Sequence, residues 1–266
     1  MNIIETIGGI FFKDYSVDTY PILVASALHE EMTPLLAGKK WSYISDDQNI
    51  RQYKVTNSKK RSYNVISYSL NRMGMPMNGV GITKTIEILK PKYVIFIGTC
   101  AGLNKKTDTN TNGENEGDVL IPDYIYAYDS GKHNDKGVFK VEHRHYDVSQ
   151  NLRSIVSDML QTIRKPRFKV ELDCGFCSGA SVVSYKKMRD NIIKSANRKV
   201  AGFDMEAYVL ACINQLYPNI ETIVLKGIMD FGEHKDDKFK RKAKVNSAKI
   251  ADELINYIVE NDSKLL

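Results

Sequence analysis

Four acids carry the chemistry that is legible in this chain. Asp204 and Glu206 stand in Phe203-Asp204-Met205-Glu206-Ala207, while Glu31 and Asp230 each sit just beyond a short apolar run. Carboxylates trade protons and accept hydrogen bonds from hydroxyls, so acids converging on strand ends imply a polar site at one edge of a sheet. Asp204-Met205-Glu206 also has a plainer reading. Met205, Val209, Cys212, Ile213 and Leu216 recur at helical spacing, and Pro218 stops the run. Asp204 is then expected as the helix N-cap, with Glu206 in the first turn, where the helix dipole favours negative charge. That would suffice for an isolated Asp-x-Glu. Two further acids at strand ends favour a site.

The elements that must position these acids follow from the hydrophobic pattern. Apolar runs at residues 22–25, 63–68, 93–97, 119–121, 125–128, 170–176 and 222–225 read as strands, and amphipathic stretches fill the gaps. Tyr93-Val94-Ile95-Phe96-Ile97 is apolar without alternation, as expected of a central strand buried on both faces. Pro76 suits the start of a helix whose face is Ile82, Thr85, Ile86 and Leu89. Leu152, Ile155, Val156, Met159, Leu160 and Ile163 mark a second core-facing helix, and Ile250, Leu254, Ile255 and Ile258 a C-terminal one. The expected fold is α/β, a three-layer α/β/α sandwich with a central mixed sheet. It reads as a single domain over 1–266, with an N-terminal extension at 1–20 and a polar, flexible insertion at 104–116.

Composition bounds the function. A hydrophobic fraction of 42% and a charged fraction of 26% are those of a soluble globular protein. No apolar run reaches the length of a membrane span, and residues 1–20 make a poor signal peptide because Glu5, Lys13 and Asp14 interrupt them. The four cysteines are therefore expected as thiols in a reducing cytoplasm. A net charge of +6 invites a nucleic-acid partner. Its lysines are scattered over Ser58-Lys59-Lys60-Arg61, Tyr185-Lys186-Lys187 and 235–244, which reads as solvated surface with a weak preference for anionic ligands.

Three other motifs receive plain readings. Gly98-Thr99-Cys100-Ala101-Gly102 follows the central strand as an expected small-residue turn, which lets backbone N–H groups and the Thr99 hydroxyl approach a ligand. Cys174-Gly175-Phe176-Cys177 lacks the second pair that a zinc site needs, so buried thiols are expected and no metal. His133, His143 and His145 lie in a polar segment that reads as a solvated or subunit-contact loop, although metal binding is conceivable there.

These motifs together resemble a known family. Ala25-Ser26-Ala27-Leu28-His29-Glu30-Glu31-Met32 is similar to the N-terminal motif of the methylthioadenosine/S-adenosylhomocysteine nucleosidases. Lys90-Pro91-Lys92 through Gly102 resembles their second motif. Gly117-Asp118-Val119, Phe203 through Ala207, and Lys226-Gly227-Ile228-Met229-Asp230-Phe231 complete the series in the family's order. The resemblance spans nearly the whole chain and extends to the purine nucleoside phosphorylase/nucleosidase superfamily. Tyr128-Asp129-Ser130-Gly131-Lys132 and the segment after Asp230 look closest to nucleosidase-like domains of bacterial signalling and defence effectors.

The resemblance implies an N-ribosyl hydrolase that cleaves a purine nucleoside or nucleotide to free base and a ribosyl product, without cofactor. Asp230 would be the general acid at the purine N7, and Glu31 would hold and deprotonate the attacking water. Glu206 would bind the ribose hydroxyls with Met205 packed on the sugar. Val182 and Val183 align with base-stacking and base-edge positions, and Thr99, Cys100 and Phe203 complete the implied substrate contacts. Three positions depart from the family. Met229 replaces the serine before the catalytic acid, Val182 an aromatic, and Phe96 the arginine with which the phosphorylases hold phosphate. Phosphorolysis, with Arg72 as the anion contact, is the alternative within enzymes. A catalytically weak nucleotide-binding sensor is the alternative outside them. A homodimer is expected, with the aromatic-rich segment 123–147 as its surface and no nucleic-acid or membrane partner.

Overall fold

The unbroken apolar run at Tyr93 becomes one of the two longest strands, each of 10 residues, and most of the sheet is organised around it. The computed structural model describes residues 6–7, 10–11, 21–45, 50–137, 139–141, 145–183, 190–191, 199–232 and 237–261. His143, Tyr185-Lys186-Lys187, Lys235 and most of the 1–20 extension lie outside the described residues. In chain order the main sheet contains β1 (Ile22–Ser26), β2 (Trp41–Ser45), β3 (Ile50–Thr56), β4 (Ser62–Ser69), β5 (Tyr93–Gly102) and β6 (Val119–Leu120). There follow β7 (Tyr124–Ala127), β8 (His145–Asp147), β9 (Val170–Glu171), β10 (Gly175–Ser178), β11 (Val200–Asp204) and β12 (Glu221–Asp230). Helices α1 (His29–Leu36), α2 (Met75–Leu89), α3 (Gln150–Thr162), α4 (Ala207–Leu216) and α5 (Asp237–Asn261) cover it.

The strand order is β8-β7-β10-β11-β5-β1-β4-β3-β2, with β12 paired along β5, β6 on β12 and β9 on β6. The sheet is mixed. β5 runs parallel to β1 and β12 but antiparallel to β11. On one edge β5 serves two partners in succession: Tyr93 to Ile97 pair with β1, and Ala101 and Gly102 pair with β11. The sheet therefore forks at Gly98 to Cys100, and the fork is where a cavity can open.

Alternation along β1 and β5 divides the core into two layers. Leu23, Ala25, Val94 and Phe96 face α2 and α4 through Ile82, Ile86, Leu210 and Ile213. Ile22, Val24, Ile95 and Ile97 face α1, α3 and α5 through Met32, Leu152, Met159, Leu254 and Ile258. The expected three-layer α/β/α architecture is the one observed. α2 ends at Leu89, where Lys90 adopts a left-handed conformation just before Pro91, which disfavours a further helical residue.

Several elements differ from expectation. Gly98-Thr99-Cys100-Ala101-Gly102 is not a turn but the continuation of β5, because β12 offers ladder partners as far as Ala101. The single strand expected over 170–176 is two, since β9 pairs with β6 whereas β10 inserts between β7 and β11. β2, β3, β8 and β11 gave no clear apolar signal. The first three carry polar faces, and β11 is wholly buried yet built largely from small residues. The 104–116 insertion is closed on itself, with Glu114 N donating to Asn104 O at 2.8 Å and Lys106 N to Glu114 O at 2.8 Å. Among the described residues no helix is long and apolar enough to cross a membrane.

The packing of α5 on β12 can be tested directly. Leu254 is fully buried, so Leu254→Ala is expected to lower unfolding stability by about 2–5 kcal/mol in urea denaturation. Leu216, exposed at the end of α4, serves as control: Leu216→Ala should stay within about 0.5 kcal/mol. Equal midpoints for the two variants would refute the assigned layer.

Candidate active site

The fork in the sheet holds a cavity of about 260 Å³. Glu31, Thr99, Cys100, Val182, Val183, Phe203, Met205, Glu206 and Asp230 all line it, together with Ala27, Leu28, Met73, Ser181, Asp204, Met229 and Lys240. The acids come from three places: the first turn of α1, the β11–α4 junction and the end of β12.

Glu31 is fixed by both of its oxygens. Oε2 accepts the Leu28 N–H at 3.1 Å, closing the first turn of its own helix, and Oε1 accepts the Thr99 N–H at 2.8 Å and hydroxyl at 3.2 Å. The close approach to β5 depends on Gly98. A Cβ there would lie 2.9 Å from Glu31 Oε1 and 3.0 Å from Lys226 Nζ. Carboxylate and ammonium thus face each other across a bare Cα.

Glu206 is held in the same manner. Its Oε1 accepts the Gly74 N–H at 2.9 Å, and its Oε2 accepts from Lys226 Nζ at 3.3 Å. Gly74 has φ +97, a conformation that side-chain-bearing residues rarely adopt, so glycine is required for that N–H to reach the acid. Burial pushes the Glu206 carboxyl up from its ordinary value, against the opposing pull of Lys226.

Asp204 departs from its expected place. α4 begins at Ala207 with Glu206 at the cap position, and Asp204 is the last residue of β11, pairing with Ser178. Its carboxylate still accepts from Glu206 N at 3.3 Å and Ala207 N at 3.1 Å, so the capping chemistry survives from within the strand. The other oxygen meets Lys226 Nζ at 2.8 Å. Asp230 Oδ1 accepts the Gly232 N–H at 2.7 Å, at the level of Ala101 on β5. The register therefore sets an axis, with Glu31 and Lys226 level with Gly98 and Thr99 at one end, and Asp230 beside Ala101 and Phe203 at the other.

Lys226 was not singled out from the sequence. Its side chain is 1% exposed, bonded to Asp204 and Glu206, with the ammonium 4.7 Å from the Phe96 ring centroid. Burial alone would push the amine down, but Asp204, Glu206 and Glu31 together hold it well above its usual value. The available signal was a lone lysine inside an apolar strand, which demands a buried partner.

Arg72 requires correction. It is exposed and absent from the cavity lining, where its neighbour Met73 stands instead. Val182 and Val183 do line the wall, although Val182 is 53% exposed and Val183 buried. That wall is tied down from the turn that follows β7: the Tyr128 hydroxyl donates to Ser181 O at 2.7 Å, and Asp129 accepts the Ala180 N–H at 2.5 Å. Cys174 and Cys177 are free, buried thiols, burial pushing Cys177 up to about 12. His133 and His145 pack against aromatic rings, of Phe139 and of Tyr124 and Tyr126.

The model of the phosphorylase superfamily matches residues 21–256. The chain belongs to that superfamily. A curated relative, the uncharacterised protein y4jS of Sinorhizobium fredii, is 27% identical over 265 residues, covering 88% of this chain. The chain spans only 62% of that relative's length. Among solved structures of the superfamily fold, a 5′-methylthioadenosine/S-adenosylhomocysteine nucleosidase from Neisseria meningitidis, in complex with methylthio-immucillin-A, superposes with a TM-score of 0.70 at 20% identity. The match covers 88% of this chain and 98% of that one. The futalosine hydrolase of Helicobacter pylori gives 0.71 at 18% identity, over 88% and 97%.

Two substitutions test the charge arrangement. Lys226→Met should cost about 3–5 kcal/mol of stability, because it strands two buried carboxylates, and a shift in the urea midpoint reads this out. Gly98→Ala, whose Cβ would press on the Glu31 carboxylate and the Lys226 ammonium, should cost about 1–3 kcal/mol in the same urea midpoint, while circular dichroism stays native.

Proposed function

We propose that this chain is an N-ribosyl hydrolase acting on a purine nucleoside or nucleotide. The observation that carries the reading is the opening of Glu31, Glu206 and Asp230 into one cavity, with Glu31 and Asp230 at opposite ends of a short axis. The purine lies at the Asp230 end, between Phe203 and the Val182-Val183 wall. Asp230, held through Oδ1 by Gly232, donates a proton to N7 as the C1′–N9 bond breaks and its electron pair passes to the base. Glu206, held by Gly74 and Lys226, accepts hydrogen bonds from the ribose diol. Water attacks C1′ from the Glu31 end, Glu31 takes its proton, and the products are free base and a ribosyl hemiacetal.

Charge supports the same reading. The lining carries four acids, Glu31, Asp204, Glu206 and Asp230, against one cation, Lys240, while Lys226 is buried behind Asp204 and Glu206. An acidic surround favours the positive charge that develops on the sugar as the bond breaks. The named activities of the solved neighbours, a methylthioadenosine/S-adenosylhomocysteine nucleosidase and a futalosine hydrolase, agree with hydrolysis. Water is favoured over phosphate as nucleophile because Arg72 is exposed outside the cavity and the Phe96 ring lies beneath Lys226. The proposed assembly is a homodimer through the segment 123–147, supported by exposed Phe139 within it and by exposed Met73 and Val182 in the cavity lining.

Purified protein, incubated with purine nucleosides and nucleotides in phosphate-free buffer and chromatographed for free base, tests the reaction. Base release should occur without phosphate and should not accelerate when phosphate is added. Asp230→Asn and Glu31→Gln should each lower turnover about 10²–10⁴-fold with the fold intact. Strict phosphate dependence with a ribose 1-phosphate product would establish the phosphorylase instead. Nucleotide binding without turnover would establish the sensor.

A further inference from the structure

The rim of the cavity beside Glu31 carries a charge arrangement that the reaction does not use. Glu30 precedes Glu31 in the first turn of α1, with a side chain 46% exposed, and it binds two lysines of α5. Lys240 Nζ lies 2.7 Å from Glu30 Oε1, and Lys244 Nζ lies 3.2 Å from Oε2. Lys240 also lines the cavity itself, and Lys244 is the more buried of the two, with 15% of its side chain exposed. A surface carboxylate gripped by two ammonium groups at a cavity mouth occupies the place of a more highly charged anion.

The lining of the site indicates which anion that is. With the base at the Asp230 end and the diol on Glu206, the 5′ end of the sugar is left to the rest of the lining, in which Lys240, at the first turn of α1 beside Leu28 and Glu30, is the one basic residue among the described residues. We propose that Lys240, seconded by Lys244, binds a 5′-phosphate of the substrate, and that Glu30 is the placeholder which this phosphate displaces. The substrate class is then a purine nucleoside 5′-phosphate rather than a nucleoside with an uncharged 5′ group. The assignment rests on the hydrolase reading above.

The chemistry is consistent on both sides of the exchange. A phosphate monoester carries about −1.5 to −2 charges at neutral pH with three acceptor oxygens, whereas Glu30 offers one charge and two. Both lysines keep an anionic partner before and after binding. Glu30 swings into solvent at little cost, since water already screens a half-exposed carboxylate from its partners. Inorganic phosphate would satisfy the same lysines, so the test separates the two sources.

The primary readout is the ratio of kcat/KM for adenosine 5′-monophosphate to that for adenosine, in phosphate-free buffer. It should exceed one in the wild-type chain and fall about ten- to hundredfold in Lys240→Gln, the usual weight of a charge-assisted contact. Lys240→Arg should restore most of the ratio, which a merely misfolded Lys240→Gln could not explain. In parallel, calorimetry should show ribose 5-phosphate binding the wild-type chain more tightly than ribose, with the difference lost in Lys240→Gln. Cleavage of both substrates at a ratio insensitive to Lys240→Gln would overturn the subsite and leave the hydrolase standing. Failure to cleave either, with Lys240-dependent binding of ribose 5-phosphate, would overturn the hydrolase and leave the anion subsite. Rate enhancement by inorganic phosphate that vanishes in Lys240→Gln would make the lysine a nucleophile anchor and refute the proposal.

Discussion

One buried ammonium holds the site together. Lys226 stands almost wholly out of water, and three carboxylates from two distant parts of the chain arrange themselves around it. A lysine so placed costs several kcal/mol in lost hydration, which only close anionic partners offset. Asp204 and Glu206 provide that offset, and in doing so they fix the β11–α4 junction against β12. Glu31 completes the balance across Gly98. The same cluster that solves a burial problem therefore delivers the acids into one cavity.

The cluster exists because β5 serves two neighbours on one edge. Its first half is an ordinary central strand, parallel to β1 and buried on both faces. Past Ile97 that edge is released from β1 and taken up by β11, while β12 follows the other edge almost to the end. Small residues at this crossing admit the Glu31 carboxylate to the backbone of Thr99. Bulk there would fill the space that the fork opens. Gly98 thus belongs to the geometry of the acid rather than to a turn.

The two ends of the cavity are supported unequally. At the Asp230 end Tyr128 and Asp129, in the turn that follows β7, bind Ser181 and Ala180, so the wall bearing Val182 and Val183 is held by hydrogen bonds from that turn. At the α1 end the contacts of the rim are ion pairs between half-exposed side chains, whose strength solvent and salt reduce. In the proposed reading the tethered wall meets the flat base, and the screened, exchangeable rim meets the charged 5′ group.

The sequence by itself determined the layers and the identity of the acids. Unbroken apolar runs marked β1, β5 and the first half of β12, and helical spacing marked α2, α3, α4 and α5, because burial on one face or two leaves a local periodic trace. The ordered motifs singled out Glu31, Glu206 and Asp230. What the sequence hid was whatever depended on pairing at a distance. β11 is built of small residues whose burial is set by neighbours, so it left no apolar run. Gly98 to Gly102 looked like a turn because small residues suit turns and close-packed strands equally. Arg72 stood near the site in sequence yet outside it in space, while Lys226 looked like any lysine until Asp204 and Glu206 closed on it. Periodicity records how a segment meets solvent. Which side chains meet one another, as when Gly74 donates to Glu206 across 132 positions, is decided only when the register of the sheet brings their backbones together.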